Sequence, residues 1–182
     1  MKNTIYILLV MTICMACEPV TIEETDSNYV DLGLSVKWAT CNVGNTRYGW
    51  TLAWGDWTPY KGEYTPQNYS YSSLEYEDGR IPTPEEWKEL ETQCTWVWGR
   101  WCGTVGYKII GPNCNYIVLP AAGFDYYNIQ YSSGEICCYW ADRTHNSRES
   151  GDFACVLWAE QGSISADARQ PKFVGCSVRL VK

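Results

Sequence analysis

The sequence has very little histidine and no clustered basic residues. Its 182 residues include one histidine, His145, and 14 lysines and arginines against 21 acidic residues, a formal net charge of −7. Nucleic-acid binding requires a basic surface that displaces counterions, and no stretch of the chain supplies one. A zinc site would need several histidines or a pair of C-x-x-C knuckles, and the sequence has neither. We therefore expect no nucleic-acid partner, no metal and no other cofactor.

The amino terminus lacks an apolar run long enough for a transmembrane helix. The run IYILLVMTICM, at residues 5–15, has eleven residues, whereas a membrane span takes about 20. Together with Lys2 before it, this run is typical of an export signal. Cys17 follows the small residue Ala16 and resembles the lipidated cysteine of a bacterial lipobox, although Cys14 stands where a leucine is usual. Cleavage near Ala16 without a lipid is the alternative.

These features predict three segments. They are a signal peptide at 1–16, an acidic tether at 17–28 and one folded domain at 29–182. The tether is polar, whereas the whole chain is 46% hydrophobic, which is enough for a folded core. The arrangement predicts a lipoprotein of the outer membrane or cell surface that is attached to the membrane through its lipid. A periplasmic or secreted protein is the alternative.

Cysteine, in contrast, is abundant. An even number of cysteines remains after the signal peptide and Cys17, and in an exported chain this predicts disulfide bonds. Predicted strands at 153–159 and 174–181 carry Cys155 and Cys176 on their apolar faces, so these two would meet if the strands pair in register. The eight cysteines are Cys41, Cys94, Cys102, Cys114, Cys137, Cys138, Cys155 and Cys176.

The stretch RIPTPEEWKELETQC carries the strongest local signal. Thr83 is suited to the N-cap of a helix, Pro84 to its first position, and Glu86 completes a capping box with Thr83. The apolar residues recur at helical spacing. They predict a short amphipathic helix of about ten residues that packs inward through Trp87, Leu90 and Cys94.

The remaining elements are predicted as short strands and long loops. Alternating or apolar runs predict strands at 35–41, 50–54, 107–110, 116–119, 138–141, 153–159 and 174–181. Two polar stretches near the carboxyl terminus, 142–152 and 160–172, are predicted as loops. Few helices among many strands, with no βαβ alternation, predict the α+β class.

Five blocks of the sequence resemble the Fibrobacter succinogenes major paralogous domain, a family of exported Bacteroidetes proteins. They are YVDLGLSVKWATCNVG, LAWGDW, RIPTPEEWKELETQCTWVW, GYKIIGPNCNYIVLPAAGF and GCSVRLV, and they span 29–181. The resemblance implies a compact α+β domain like those of C-type lectins and formylglycine-generating enzymes, with short antiparallel strands, long loops and one or two helices. It also implies a structural disulfide between Cys41 and Cys94.

In lectin-like domains the loops between the last strands bind the ligand. The resemblance therefore implies a surface binding or adhesion module that recognises a glycan or a protein through the predicted loops 142–152 and 160–172. The motifs of calcium-dependent lectins are absent, so we expect recognition without calcium. The candidate ligand-binding residues are Asp142, Arg143, His145, Asn146, Arg148 and Glu149.

Two alternatives stay open. One is a thiol or copper enzyme like the formylglycine-generating enzymes, but Cys137 and Cys138 are adjacent and would point to opposite faces of a strand, and His145 has no evident orienting partner. We therefore predict no enzymatic activity. The other is a lectin-like protein whose loops are diversified by a retroelement. Separately, Trp98 and Trp101, on a predicted loop, are candidates for stacking on a ligand.

Overall fold

A computed structural model describes residues 28–44, 48–56, 58–65, 68, 75–144 and 153–182. Strands make up 50% of this part of the chain and helix 7%. Within it, no helix has the length and apolar character needed to cross a membrane. The elements are β1 Tyr29–Asp31, β2 Lys37–Ala39, β3 Thr51–Leu52, β4 Glu75–Tyr76, β5 Gly79–Arg80, α1 Pro84–Gln93, β6 Thr95–Trp101, β7 Thr104–Ile110, β8 Tyr116–Pro120, β9 Phe124–Tyr126, β10 Ile129–Tyr131, β11 Ile136–Thr144, β12 Phe153–Glu160, β13 Ser163–Pro171 and β14 Cys176–Ser177.

The predicted α+β lectin-like class is wrong, because the protein is mostly β and consists of several small sheets. Two segments that were predicted as loops are strands: Trp98 and Trp101 lie in β6, and most of 160–172 forms β13. The sequence of β13, SISADARQP, alternates small apolar with polar side chains, which suits a half-buried strand. Its polar composition hides this alternation.

The helix α1 is confirmed with its capping box. The Thr83 hydroxyl accepts the Glu86 N–H at 3.2 Å, and the Glu86 carboxylate accepts the Thr83 N–H at 2.8 Å. Pro84 occupies the first turn, and Trp87 and Leu90 are fully buried, as the spacing predicts. Local sequence alone therefore determines where this helix begins and which side packs inward.

A five-stranded sheet, in the order β13-β12-β11-β14-β3, divides the interior into two cores. Alternate residues of β11 point to opposite faces, so Cys137 and Tyr139 enter one core while Cys138 and Trp140 enter the other. The separation of the adjacent cysteines is the one that the sequence predicts. The neighbours of β11 are antiparallel β12 and parallel β14.

Each core is completed by other elements. On the first face, α1 and the three-stranded sheet β6-β7-β8 cover the central sheet with Trp87, Leu90, Tyr107, Ile109, Ile117 and Leu119. On the second face, the cover comes from short segments of the chain, with Trp54, Ile81, Phe173 and Val174.

The side chain of Arg179 connects segments that belong to different sheets. It is 1% exposed, and its Nε donates to Asn42 Oδ1 at 2.9 Å. Its Nη1 and Nη2 donate to the carbonyl oxygens of Ala39 and Val118, each at 2.7 Å. Burial lowers the pKa of Arg179, while the neighbouring Tyr139 raises it. The carboxyl-terminal segment is thus tied to β2 and β8 by charge-assisted hydrogen bonds.

Neither predicted disulfide is formed in this structure. β11 lies between β12, which carries Cys155, and β14, which carries Cys176. The predicted pairing of these two strands therefore does not occur. The two cysteines also point into opposite cores. Cys94 carries a free thiol, and it is therefore not bonded to Cys41.

The first prediction concerns the charge of Glu86. Burial alone would raise the pKa of this carboxyl, but its hydrogen bonds to Arg80 and Thr83 lower it overall. A carboxylate with a lowered pKa in the folded state stabilises the fold above its unfolded pKa, and this contribution is lost as the pH falls through the folded pKa. Glu86→Gln should lower the free energy of unfolding by about 1 kcal/mol at pH 7, measured by urea unfolding.

The loss should shrink towards pH 3. Glu91→Gln, which removes a solvent-exposed ion pair with Lys88 on the same helix, is the matched control and should cost less than about 0.5 kcal/mol. Equal losses in the two variants, or a loss in Glu86→Gln that persists at acid pH, would contradict the assignment.

The second prediction concerns Arg179. Arg179→Met should lower the free energy of unfolding by at least about 3 kcal/mol, because it leaves the acceptors on Asn42, Ala39 and Val118 buried without this donor. Arg169→Met removes an exposed arginine of β13 and should change stability by less than about 0.5 kcal/mol. Similar denaturation midpoints for both variants would show that the buried guanidinium is not a structural anchor.

Candidate functional site

A β-bulge in β11 begins the candidate site. The pairing of β11 with β12 shifts register between Trp140 and Thr144. There the carbonyl of Trp140 accepts the indole N–H of Trp87 at 3.2 Å, and the carbonyl of Ala141 accepts that of Trp54 at 2.9 Å. The two cores therefore hold the bulge from both sides through main-chain atoms. Bulges commonly redirect side chains next to functional sites.

Asp142 follows the bulge and faces the start of α1. Its N–H donates to the Pro82 carbonyl at 2.7 Å, which fixes the backbone here. Burial raises the pKa of the Asp142 carboxyl; Glu86 raises it further, while Arg80 and Arg143 lower it. The ionised form of Asp142 is therefore disfavoured by its surroundings, which is common for groups at functional sites and less common for residues retained for stability.

Arg143, the next residue, forms an ion pair with Glu85 in the first turn of α1. The Arg143 hydrogen bond lowers the pKa of the Glu85 carboxyl. The two side chains are 52% and 63% exposed, so water competes strongly for both, and the pair contributes little to stability. Both groups are therefore accessible to a ligand.

A polar groove of about 560 Å³ runs between α1 and the edge strand β13, with Arg143 on its wall. Its volume falls in the usual range for ligand sites. The groove carries both signs of charge: three carboxylates, one ammonium group and one guanidinium group. The lining residues are Pro84, Glu85, Lys88, Glu91, Arg143, Ile164, Ser165, Ala166 and Asp167.

Cys155, on β12, is a nearly buried thiol close to the charged groups of this groove. It is 2% exposed. Burial raises its pKa, and Asp167 raises it further, while Arg143 lowers it. Because the net shift is upward, the thiol stays protonated at neutral pH. A protonated, covered thiol is a poor nucleophile.

The structure brings two of the predicted ligand-binding residues to the site. Arg143 lines the groove, and Asp142 lies beside it at the start of α1. The other four, His145, Asn146, Arg148 and Glu149, lie outside the described residues, as do Cys17 and the predicted signal peptide. These predictions stay open.

The sequence interpretation missed the other wall of the groove. Glu85, Lys88 and Glu91 are spaced three apart on the polar side of the predicted helix, a signal that is present in the sequence but was not used. Ser165 and Asp167 lie in 160–172, a segment that the resemblance implied was a ligand-binding loop, but neither residue was named as a candidate. Only the pairing of β13 with β12, a contact distant in sequence, places them opposite α1.

The two tryptophans predicted to stack on a ligand lie on opposite faces of β6. Trp98 packs edge-on against Tyr107 in the first core, at a centroid distance of 4.9 Å. Trp101 lies on the other face and covers Gly99, where an added Cβ would come within 3.2 Å of the ring. The Lys108 Nζ sits 5.5 Å from the Trp101 ring centroid and 3.9 Å from that of Tyr116.

No group of three or more His, Cys, Asp or Glu side chains within the described residues is arranged to hold a metal ion. The sequence matches no protein-family model, and no curated protein or solved structure matches it.

The third prediction concerns Asp142. A carboxyl whose pKa is raised in the folded state costs stability above its unfolded pKa, and this cost disappears when the carboxyl is protonated. Asp142→Asn should therefore raise the urea midpoint at pH 7, with a smaller gain at pH 3. A midpoint at pH 7 that falls on substitution would show that the ionised carboxylate stabilises the fold.

Proposed function

We propose that the protein is a binding module that recognises a polar, hydroxyl-rich ligand of the glycan class in the groove between α1 and β13. The observation that carries the proposal is the open groove itself, in which carboxylates of Glu85, Glu91 and Asp167 lie with the cationic groups of Lys88 and Arg143. Carboxylates accept hydrogen bonds, and ammonium and guanidinium groups donate them, so the walls offer both to neighbouring hydroxyl groups.

The composition of the groove favours a glycan over a protein. The energetically dominant residues of protein interfaces are enriched in tryptophan, tyrosine and arginine that fill dry pockets. Among the lining residues, arginine occurs once and aromatic residues do not occur. The apolar part is limited to Pro84, Ile164 and Ala166, so hydrogen bonding and charge would supply most of the recognition.

The proposal includes export. A signal peptide at 1–16, lipidation of Cys17 and a tether at 17–28 would display the domain at the outer membrane or cell surface, where glycans are available. The resemblance to the Fibrobacter succinogenes family supports this location. Membership of that family, the absence of catalysis and the retroelement alternative all remain predictions.

The fourth prediction tests recognition in the groove. Purified protein should bind members of a glycan array, and Arg143→Gln and Asp167→Asn should each weaken that binding by roughly 10- to 100-fold, the effect of losing one charge-assisted hydrogen bond. Neither change should alter the melting temperature, because Asp167 is exposed and the Arg143 ion pair is weak.

The matched control is Asp78→Asn. It breaks another exposed ion pair, Lys182–Asp78, outside the groove, and should leave binding unchanged. Glycan binding that is equal in all four proteins would place recognition elsewhere on the chain. If the protein binds surface proteins and no glycan, it is still a binding module, but its ligand is a protein.

A further inference from the structure

Cys138 and Cys176 lie side by side in the second core. They occupy neighbouring parallel strands, β11 and β14, whose register pairs Tyr139 with Ser177 and therefore sets the two cysteines opposite each other. Their Sγ atoms are 3.2 Å apart, and neither residue is exposed to solvent. Both carry free thiols in this structure.

The backbone geometry suits a covalent bond between them. Neighbouring strands lie about 4.8 Å apart, and disulfides join residues whose Cα atoms are roughly 4.4–6.8 Å apart. The sulfurs need to approach by about 1 Å to reach bonding distance, a movement that small side-chain rotations supply. No backbone rearrangement is needed, in contrast to the pair Cys155 and Cys176, which β11 separates.

We propose that Cys138 and Cys176 form a disulfide bond in the mature protein. The oxidant is a disulfide-carrying compound or oxidoreductase, written RSSR. One cysteine thiolate attacks RSSR to give a mixed disulfide and releases one RS⁻. The second cysteine then attacks the mixed disulfide, which forms the Cys138–Cys176 bond and releases another RS⁻. The two cysteines lose two electrons and two protons, and RSSR becomes two RSH.

The surroundings of the pair determine when this reaction takes place. Burial raises the pKa of Cys176 well above its usual range, and the hydrogen bond with Cys138 raises it further. In the folded protein the Cys176 thiol is therefore protonated, and both cysteines are closed to the oxidant because neither is exposed. The bond forms while β14 is undocked from β11, and once formed it is shielded from external reductants.

The bond would fasten a very short strand of the central sheet. β14 has two residues and pairs with β11 through one register position. Three residues after Cys176 comes Arg179, which anchors the segment in the interior. A disulfide between Cys138 and Cys176, which are 38 positions apart, restricts the unfolded chain considerably. Oxidation would therefore favour docking of the whole carboxyl-terminal segment.

Peptide mapping tests the proposal. The full chain is folded in a glutathione redox buffer, free thiols are alkylated in denaturant, and the protein is cut with trypsin and a glutamate-specific protease. Cleavage after Glu135 and Arg143 gives peptide 136–143, and cleavage after Lys172 and Arg179 gives 173–179, which contains only Cys176. We expect these two peptides to be joined in most molecules and to separate on reduction.

Two alanine variants identify the sulfur that is used. Cys137→Ala and Cys138→Ala remove adjacent buried thiols on opposite faces of β11, so they disturb the fold comparably. The link should survive in Cys137→Ala and disappear in Cys138→Ala, and oxidised Cys137→Ala should melt on the order of 10 °C higher.

Two results would overturn the proposal. One is peptide 173–179 recovered in alkylated form from wild-type protein folded with the oxidant. The other is a link that persists in Cys138→Ala and is lost in Cys137→Ala. The wild-type measurement requires no variant to fold, so it is decisive on its own.

Discussion

The buried guanidinium of Arg179 is the interaction on which the arrangement of this protein depends. β2 pairs with the carboxyl-terminal segment through Trp38 and Val181, whereas β8 belongs to a separate sheet. The Arg179 side chain reaches all three through acceptors on Ala39, Asn42 and Val118. These acceptors are neutral and fixed, so the charge is satisfied only when every segment is in place. The arrangement of these segments thus gives the buried cation three hydrogen-bond acceptors.

Local signals of the sequence predicted local structure well. The capping box of Thr83 and Glu86 specifies α1 without help from the rest of the chain. The adjacency of Cys137 and Cys138 specifies that a strand there must face two cores. Both inferences depend on the geometry of a few consecutive residues, which holds whatever the tertiary fold.

Contacts distant in sequence determined what could not be predicted. The fold class was wrong in part because β6 and β13, both predicted as loops, are strands that pair with β7 and β12. The groove was half predicted for the same reason: Arg143 was identified from its own segment, whereas Asp167 needs β13 to be in place. The role of Arg179 likewise depends on acceptors that are 61 or more positions away.

The bulge in β11 has a consequence for how recognition can evolve. Its anchors are the main-chain carbonyls of Trp140 and Ala141 and the main-chain N–H of Asp142. The side chains of Asp142 and Arg143 take no part in holding the backbone at those points. In the proposed binding module, natural variation at these two positions would therefore change the charge beside the groove and leave the main-chain anchors of the bulge in place.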